Sequence, residues 1–213
     1  MNARPLRRTH APLTIVAAAI VAGLLVGACA LSRPALVKQT FLIEAAPPAA
    51  AATTHPATLR VGTVNVAAPF RGRAFVYRTT DLRFDADYYT EFLVAPAAML
   101  GESTARALDG ARVFARVVPP GAPPDGEFVL DAFVDALYVD LRDAVKPAAE
   151  ISVTFYVSRT DAATPVPFWS KEYRRRVPAA GTTPDAYAAA MSAAFSGIAA
   201  ELARDLAALV LPK

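Results

Sequence analysis

The chain has 213 residues, 54% of them hydrophobic, with 22 Lys and Arg against 19 Asp and Glu and a formal net charge of +3. This length suits one domain with appendages, and the hydrophobic content argues against a disordered chain. A single cysteine excludes an intramolecular disulfide framework and a cysteine-rich zinc site.

Residues 1–28 predict a secretory signal peptide. They contain Arg4, Arg7 and Arg8 and no acid, and an uncharged apolar run of 16 residues extends from Ala11 to Val26. This run is shorter than the roughly 20 apolar residues that usually span a bilayer. Because three of the 22 basic residues lie in this segment, 19 remain against 19 acidic residues. The neutral remainder carries no electrostatic footprint for a nucleic-acid partner.

The end of the apolar run resembles a bacterial lipobox. It reads Val26-Gly27-Ala28-Cys29, and in a lipobox the cysteine thiol is acylated and cleavage occurs just before it. We therefore predict lipidation of Cys29 and a tether over residues 29–39, with a buried cysteine near an ordinary cleavage site as the alternative. Several acyl chains give stable anchoring where one does not. Ala30 in place of an aspartate favours the outer membrane, with the domain facing the periplasm.

Residues 40–213 predict a single domain that begins with short strands. Apolar, alternating or β-branched runs predict strands, and the Ala/Pro-rich segment 44–58 predicts a flexible surface loop. Pro96 suits the first turn of a helix that runs to about Asp109. The strands predicted in this half cover 40–43, 59–66 and 74–78.

The second half predicts longer strands and a final helix. Thr183 is a good N-cap, and a single apolar stripe follows it at helical spacing. The sequence therefore predicts an α/β domain with a mixed, mostly antiparallel sheet and two main helices. The predicted strands cover 113–118, 127–140, 150–158 and 168–177, and the stripe comprises Tyr187, Met191, Phe195, Ile198, Leu202, Leu206 and Leu209.

The side chains offer little support for catalysis, a metal or a cofactor. His10 lies in the signal peptide and His55 in the Ala/Pro-rich loop, so neither a catalytic triad nor a multi-histidine metal site is indicated. Asp131 and Asp135 lie roughly 13 Å apart along one strand, too far for an acid/base pair. A carboxylate-dependent envelope enzyme is the weakest of the hypotheses that remain. Arg174 to Arg176 favour solvated charges over a phosphate site, because a strand sends alternate residues to opposite faces.

An aromatic cluster between the predicted strand 74–78 and the first helix has two interpretations. It either packs in the core, stapling the helix to the sheet, or forms a surface that contacts lipid. Core packing is the favoured interpretation. The cluster comprises Tyr77, Phe84, Tyr88, Tyr89 and Phe92.

Two motifs resemble the ABC-type transport auxiliary lipoprotein family. Phe75-Val76-Tyr77-Arg78 is similar to that family's "VYR"-like strand, and Asp87 to Pro96 is similar to its aromatic and acidic stretch that ends in proline at a helix start. The order of elements is also similar. The resemblance implies a three-layer α/β domain related to the anticodon-binding-like fold and no catalytic residues. The candidate partner or lipid contacts are Tyr77, Arg78, Tyr88, Tyr89 and Phe92.

The resemblance also implies a function and partners. Members assist an ABC permease and ATPase and an MCE-domain protein, which move lipids or other hydrophobic molecules between membranes. We therefore expect a non-enzymatic envelope lipoprotein without a cofactor, with a homo-oligomer as a possible assembly. The alternative is an outer-membrane assembly or structural lipoprotein that has no ABC partner.

Overall fold

The computed structural model describes residues 37–123, 126–161 and 166–212. The predicted signal peptide, Cys29 and most of the predicted tether lie outside these residues. The described strands are β1 Gln39–Phe41, β2 His55–Val66, β3 Ala74–Arg78, β4 Phe84–Phe92, β5 Phe114–Val118, β6 Phe128–Asp140, β7 Ala148–Arg159 and β8 Trp169–Pro178. The helices are α1 Pro96–Gly110 and α2 Pro184–Ala207, with a short 3-10 turn at Ala68–Phe70.

The long strand β6 organises the sheet. One of its edges pairs with β7 in an antiparallel ladder, and β7 pairs with β8 in the same way. The other edge pairs first with β2 and then, at its end, with β3, both in parallel. Strand β2 also pairs with β5, while β3 leads to β4 and then to β1. The sheet is therefore mixed, with its two longest ladders antiparallel and four of the seven described pairings parallel.

Both helices pack on the same face of the sheet. Gly101 of α1 lies against Val64 of β2, and Lys171 of β8 forms an ion pair with Asp205 of α2 at 2.7 Å. Directly opposed residues of a ladder share a face. Val64 is opposite Ala132, which is opposite Phe155 on the next strand. Phe155 is in turn opposite Lys171, so Val64 and Lys171 lie on the same face.

The α/β class, the mixed sheet and the two main helices are confirmed. The layering differs from the three-layer arrangement that the resemblance implied. Within the described residues, both helices lie on one face of the sheet and contact each other, so they form a single layer. The opposite face carries exposed and charged side chains such as Phe133 and Arg174.

The apolar stripe of α2 is the main contribution of that helix to the core. Met191, Phe195 and Ile198 are fully or almost fully buried against the sheet, as the spacing predicts. Thr183 caps the helix, since its hydroxyl accepts the backbone N–H of Ala186 at 3.3 Å. By length and composition α2 is also apolar enough to cross a membrane, but more than half of its most apolar window is buried inside the domain. Such burial is typical of a core helix.

The Ala/Pro-rich segment lies on the surface without regular structure over residues 44–54, as predicted, while its last residues, from His55, belong to β2. The segment is also held to both helices. The backbone N–H groups of Ala45 and Ala46 donate to the hydroxyls of Ser103 in α1 and Ser196 in α2, at 2.9 and 2.8 Å. At its end, the ring Nε2 of His55 lies 2.8 Å from the carbonyl oxygen of Leu206. These hydrogen bonds join residues more than 50 positions apart, which local composition does not show.

Candidate functional site

The site is built around an irregularity in β4. Ala74 of β3 is opposite Glu91, and Val76 is opposite Ala86, so two steps along β3 correspond to five along β4. The three extra residues lie within Asp87–Thr90, which we call the β4 bulge. A bulge bends its strand and redirects side chains from the regular alternation.

Asp87 holds the bulge in place. Its Oδ1 accepts the backbone N–H groups of Tyr89 and Thr90 at 2.7 and 3.1 Å, and its Oδ2 accepts the hydroxyl of Tyr77 at 2.8 Å. Burial by itself would raise the pKa of Asp87, but these hydrogen bonds favour the charged form and bring the pKa below its usual value. The carboxylate thus accepts backbone N–H groups of the bulge in place of the carbonyl groups of a neighbouring strand.

Tyr77 connects the bulge to the helical layer. Its ring meets that of Tyr187 in α2 edge to face, with centroids 5.8 Å apart. Burial, and then the hydrogen bond to the charged Asp87, raise the pKa of Tyr77 well above its usual value. The phenol therefore stays protonated and donates to the carboxylate. Its position indicates a supporting residue beneath the surface.

The tyrosines of the bulge are on the surface. Tyr88 is 72% exposed and Tyr89 is 42% exposed. Their rings pack nearly perpendicular to each other with centroids 5.0 Å apart, and the ammonium of Lys38 lies 5.0 Å from the Tyr88 centroid. Neither phenol hydrogen-bonds to another described residue. We call Lys38, Tyr88 and Tyr89 the tyrosine patch.

The remaining two predicted contact residues lie elsewhere. Phe92 is 2% exposed and packs on Phe75, with ring centroids 4.6 Å apart, so it belongs to the core. Arg78 places its guanidinium over the rings of Phe84 and Tyr138, 5.5 and 5.9 Å from their centroids. Of the five candidates, Tyr88 and Tyr89 therefore form a pair on the surface and Tyr77 supports them from below. Phe92 and Arg78 belong to other clusters.

The residue that sequence reasoning missed is Lys38. Strand β1 pairs in parallel with the end of β4, with Gln39 opposite Thr90, and this brings the preceding Lys38 to the bulge. Leu42 and Leu93, which follow these two strands, are also about half exposed. Because 49 residues separate Lys38 from Asp87 in the sequence, no local pattern indicates the contact.

A second cluster of charges lies on the face without helices. Asp140, buried in β6, accepts hydrogen bonds from Arg142 at 2.8 Å and from Arg176, and Glu150 of β7 accepts from Arg174 at 2.9 Å. Hydrogen bonding from Arg142, despite opposing desolvation, lowers the pKa of Asp140 far below its usual value. All three arginines are bound to carboxylates.

The alternation predicted for the three consecutive arginines is confirmed. Arg174 and Arg176 join the charged cluster, while Arg175 pairs with Glu201 of α2 on the opposite face. Each guanidinium thus has a carboxylate partner, rather than being freely solvated. A converging phosphate site does not form from these three side chains.

The carboxylates Asp131 and Asp135 have different surroundings in the sheet. Asp131 accepts the backbone N–H of Thr63 at 2.7 Å, where β2 contains a bulge of its own. A Cβ at Gly62 would lie 2.3 Å from this carboxylate, so any other residue there would require the Asp131 side chain to move. Asp135 is exposed at another shift of register. Among the described residues, no group of three or more His, Cys, Asp or Glu side chains could hold a metal ion.

Two clefts among the described residues are lined by residues outside the tyrosine patch. One of about 380 Å³ lies between Ala49–Thr53 and the end of α2, lined mainly by alanine. Another of about 390 Å³ lies between α1 and Pro119–Pro120, with Glu102, Arg106 and Asp109 at its margin. Both are open to solvent, and the first is lined mainly by apolar side chains while the second also has charged ones.

Similar folds occur in two solved structures. Protein XCC0632 from Xanthomonas campestris, described as DUF330, is 19% identical with a TM-score of 0.68, covering 78% of this chain and 92% of its own. An uncharacterized protein is 14% identical with a TM-score of 0.59, covering 76% and 99%. At these identities the likeness shows the fold alone. No curated protein matches the chain significantly.

The sequence itself matches a family profile. The profile covers residues 41–203, which includes every described strand except the first two residues of β1, and nearly all of α2. This confirms the resemblance drawn from Phe75–Arg78 and Asp87–Pro96. The family associates the chain with ABC-type transport and, as a family of lipoproteins, with the cell envelope. The chain belongs to the family of ABC-type transport auxiliary lipoprotein components.

Proposed function

We propose that this protein is a non-enzymatic envelope lipoprotein, anchored through Cys29, that assists an ABC transporter of lipids or other hydrophobic molecules. Its partners in this proposal are the permease, the ATPase and an MCE-domain protein. The observation that carries the proposal is the family match over residues 41–203, preceded by a lipobox that ends at Cys29.

The location follows from the anchor. Export by the signal peptide and acylation of Cys29 place the domain on the periplasmic side of a membrane, and Ala30 favours the outer one. Several acyl chains, at about 0.8 kcal/mol per buried methylene, give a stable attachment. In this position the domain links the outer membrane to a transporter in the inner membrane.

The described side chains support a binding role. The groups with the most perturbed pKa values are bound in structural pairs: Tyr77 to Asp87, Tyr173 to Asp205, and Asp140 to Arg142 and Arg176. Active sites usually direct such groups into a cleft. Here each group binds a partner on another strand of the sheet or on a helix, which stabilises the domain.

Replacing the anchor residue tests the attachment. We expect Cys29→Ala to abolish incorporation of a labelled fatty acid and to shift the protein from the membrane fraction to unprocessed or soluble forms. Ser32→Ala, three residues further along, is the matched control and should leave both readouts unchanged. Retained membrane fractionation and retained label in Cys29→Ala would contradict the anchor.

Genetic epistasis tests the transport role. We expect loss of this gene to cause the same sensitivity to hydrophobic compounds as loss of the partner ATPase gene, and the double deletion to be no more severe, because both act in one pathway. A double deletion that is clearly more severe would favour the alternative, an outer-membrane assembly or structural lipoprotein without an ABC partner.

A further inference from the structure

We propose that the tyrosine patch rests on the phospholipid surface in which the chain is anchored. This inference depends on the proposed acylation of Cys29 and assigns a membrane-contacting role to Tyr88 and Tyr89. The contact would orient the domain so that the edge of the sheet formed by β1 and β4 faces the bilayer.

Covalent distance is the first argument. Lys38 is nine residues after Cys29, so even a fully extended chain holds the patch within roughly 32 Å of the acylated residue. Lys38 is itself part of the patch, through its contact with Tyr88. The anchor therefore keeps the patch at a high effective concentration beside the lipid, where a weak contact suffices.

The chemistry of the tyrosines is the second argument. The buried phenols of Tyr77 and Tyr173 donate to the carboxylates of Asp87 and Asp205. Tyr88 and Tyr89, in contrast, have exposed rings and hydroxyls with no hydrogen-bond partner among the described residues. A tyrosine with an apolar ring and a free hydroxyl suits the headgroup layer of a membrane, where Tyr and Trp are enriched.

Charge around the patch indicates the kind of lipid contact. Three basic and three acidic side chains lie on β4 or bind its side chains, and they pair locally: Lys38 and Arg73 with Glu91, Arg83 with Asp85, and Asp87 with the bulge backbone. Because these charges balance, the contact should depend on the aromatic rings and not on anionic headgroups. It should therefore persist in zwitterionic bilayers and at high salt, where attraction between a basic protein and anionic lipid is lost.

The shape of β4 favours a bilayer over a second copy of the chain. Pairing between two sheet edges requires a regular run of backbone donors and acceptors, and bulges disrupt such runs. Along Asp87–Thr90 the backbone is irregular, and the N–H groups of Tyr89 and Thr90 are occupied by Asp87. A fluid headgroup layer has no register to match.

A fluorescent label beside the patch tests the proposal. The native Cys29 is the only cysteine and is blocked when acylated, so a cysteine introduced at the exposed Ala86 can be labelled selectively. Ala86→Cys retains both tyrosines. The labelled, acylated full chain is reconstituted into zwitterionic liposomes that contain lipids with headgroup-level quenchers. The same label at Val210→Cys is the control, since Val210 is 89% exposed and follows the end of α2.

We expect the label at position 86 to shift to shorter wavelength and to be quenched, at low and high salt alike. The label at position 210 should remain aqueous. Adding Tyr88→Ser and Tyr89→Ser should abolish the quenching at position 86 while Cys29 stays acylated, as mass spectrometry shows.

Two outcomes would overturn the proposal. One is a label at position 86 that remains in water and is not quenched although the protein is fully acylated. The other is a signal that changes with the amount of protein per liposome and not with the depth of the quencher, which would indicate contact with a second copy. Absence of acyl chains on Cys29 is a separate result, because it contradicts the anchor in the proposed function.

Discussion

Single carboxylates determine how the surface of this domain is shaped. Asp87 fixes the β4 bulge by accepting two backbone N–H groups and the Tyr77 hydroxyl. Asp140 has an equivalent role on the face without helices, where it binds Arg142 and Arg176. In both cases a charged group satisfies donors that the ladder or the solvent would otherwise satisfy.

The pair of Tyr77 and Asp87 can be tested by a double-mutant cycle. We expect Asp87→Ala to lower the free energy of unfolding by about 1–3 kcal/mol and Tyr77→Phe by about 1 kcal/mol, because each removes a partly buried hydrogen bond. The double variant should lose less than the sum, since both changes remove the same bond. Urea unfolding measures all three values. Strict additivity would show that the two groups do not interact.

The pKa of Asp140 predicts a dependence of stability on pH. Because this pKa is lower in the folded state than in the unfolded chain, Asp140 stabilises the fold above about pH 4 and ceases to do so as the pH falls toward the folded value. We expect Asp140→Asn to be less stable than the wild type at pH 7, with the difference shrinking at acid pH. The exposed Asp135→Asn is the control. An unfolding difference that is constant from neutral to acid pH would contradict this prediction.

At the level of whole elements, α2 contacts both the last strands of the sheet and the Ala/Pro-rich segment. It covers β7 and β8 with its apolar stripe, while Ser196 binds Ala46 in the segment before β2 and Leu206 binds His55 at the start of β2. Lys171 and Tyr173 of β8 add an ion pair and a hydrogen bond to Asp205. The helix is thus a core element despite its apolar length.

A cavity variant tests the importance of α2. We expect Phe195→Ala to lower the free energy of unfolding by about 3–5 kcal/mol, because a fully buried aromatic ring leaves a void. Tyr88→Ala removes a similar ring from the surface and should change the free energy of unfolding by no more than about 0.5 kcal/mol. Chemical denaturation of the two variants gives the comparison. Equal losses would mean that the ring of Tyr88 is part of the folded core.

The same elements show what local sequence patterns can predict. Period-two alternation identified β7, and the apolar spacing identified α2, since both signals are contained within one segment. The bulge in β4, the approach of Lys38 and the anchoring of His55 to Leu206 depend on partners far away in the sequence. The favoured prediction of core packing is wrong for Tyr88 and Tyr89, which are exposed, because the register of β3 and β4 decides which tyrosines reach the surface.

At the scale of the whole molecule, several features agree with the proposed role of a domain that mediates contacts. Its charges are balanced once the predicted signal peptide is left out, the two clefts described above are open to solvent, and its most exposed aromatic pair lies beside Lys38 in the predicted tether. These features, together with the family, support a protein that holds a transporter and a membrane together.

The central claim is association with an ABC transport system, and the most direct measurement is affinity purification of the acylated full chain from native membranes in mild detergent. Quantitative mass spectrometry of the eluate should identify a permease, an ATPase and an MCE-domain protein in fixed proportion to the lipoprotein. Recovery of the lipoprotein alone, under conditions that keep the permease and ATPase together, would contradict the account.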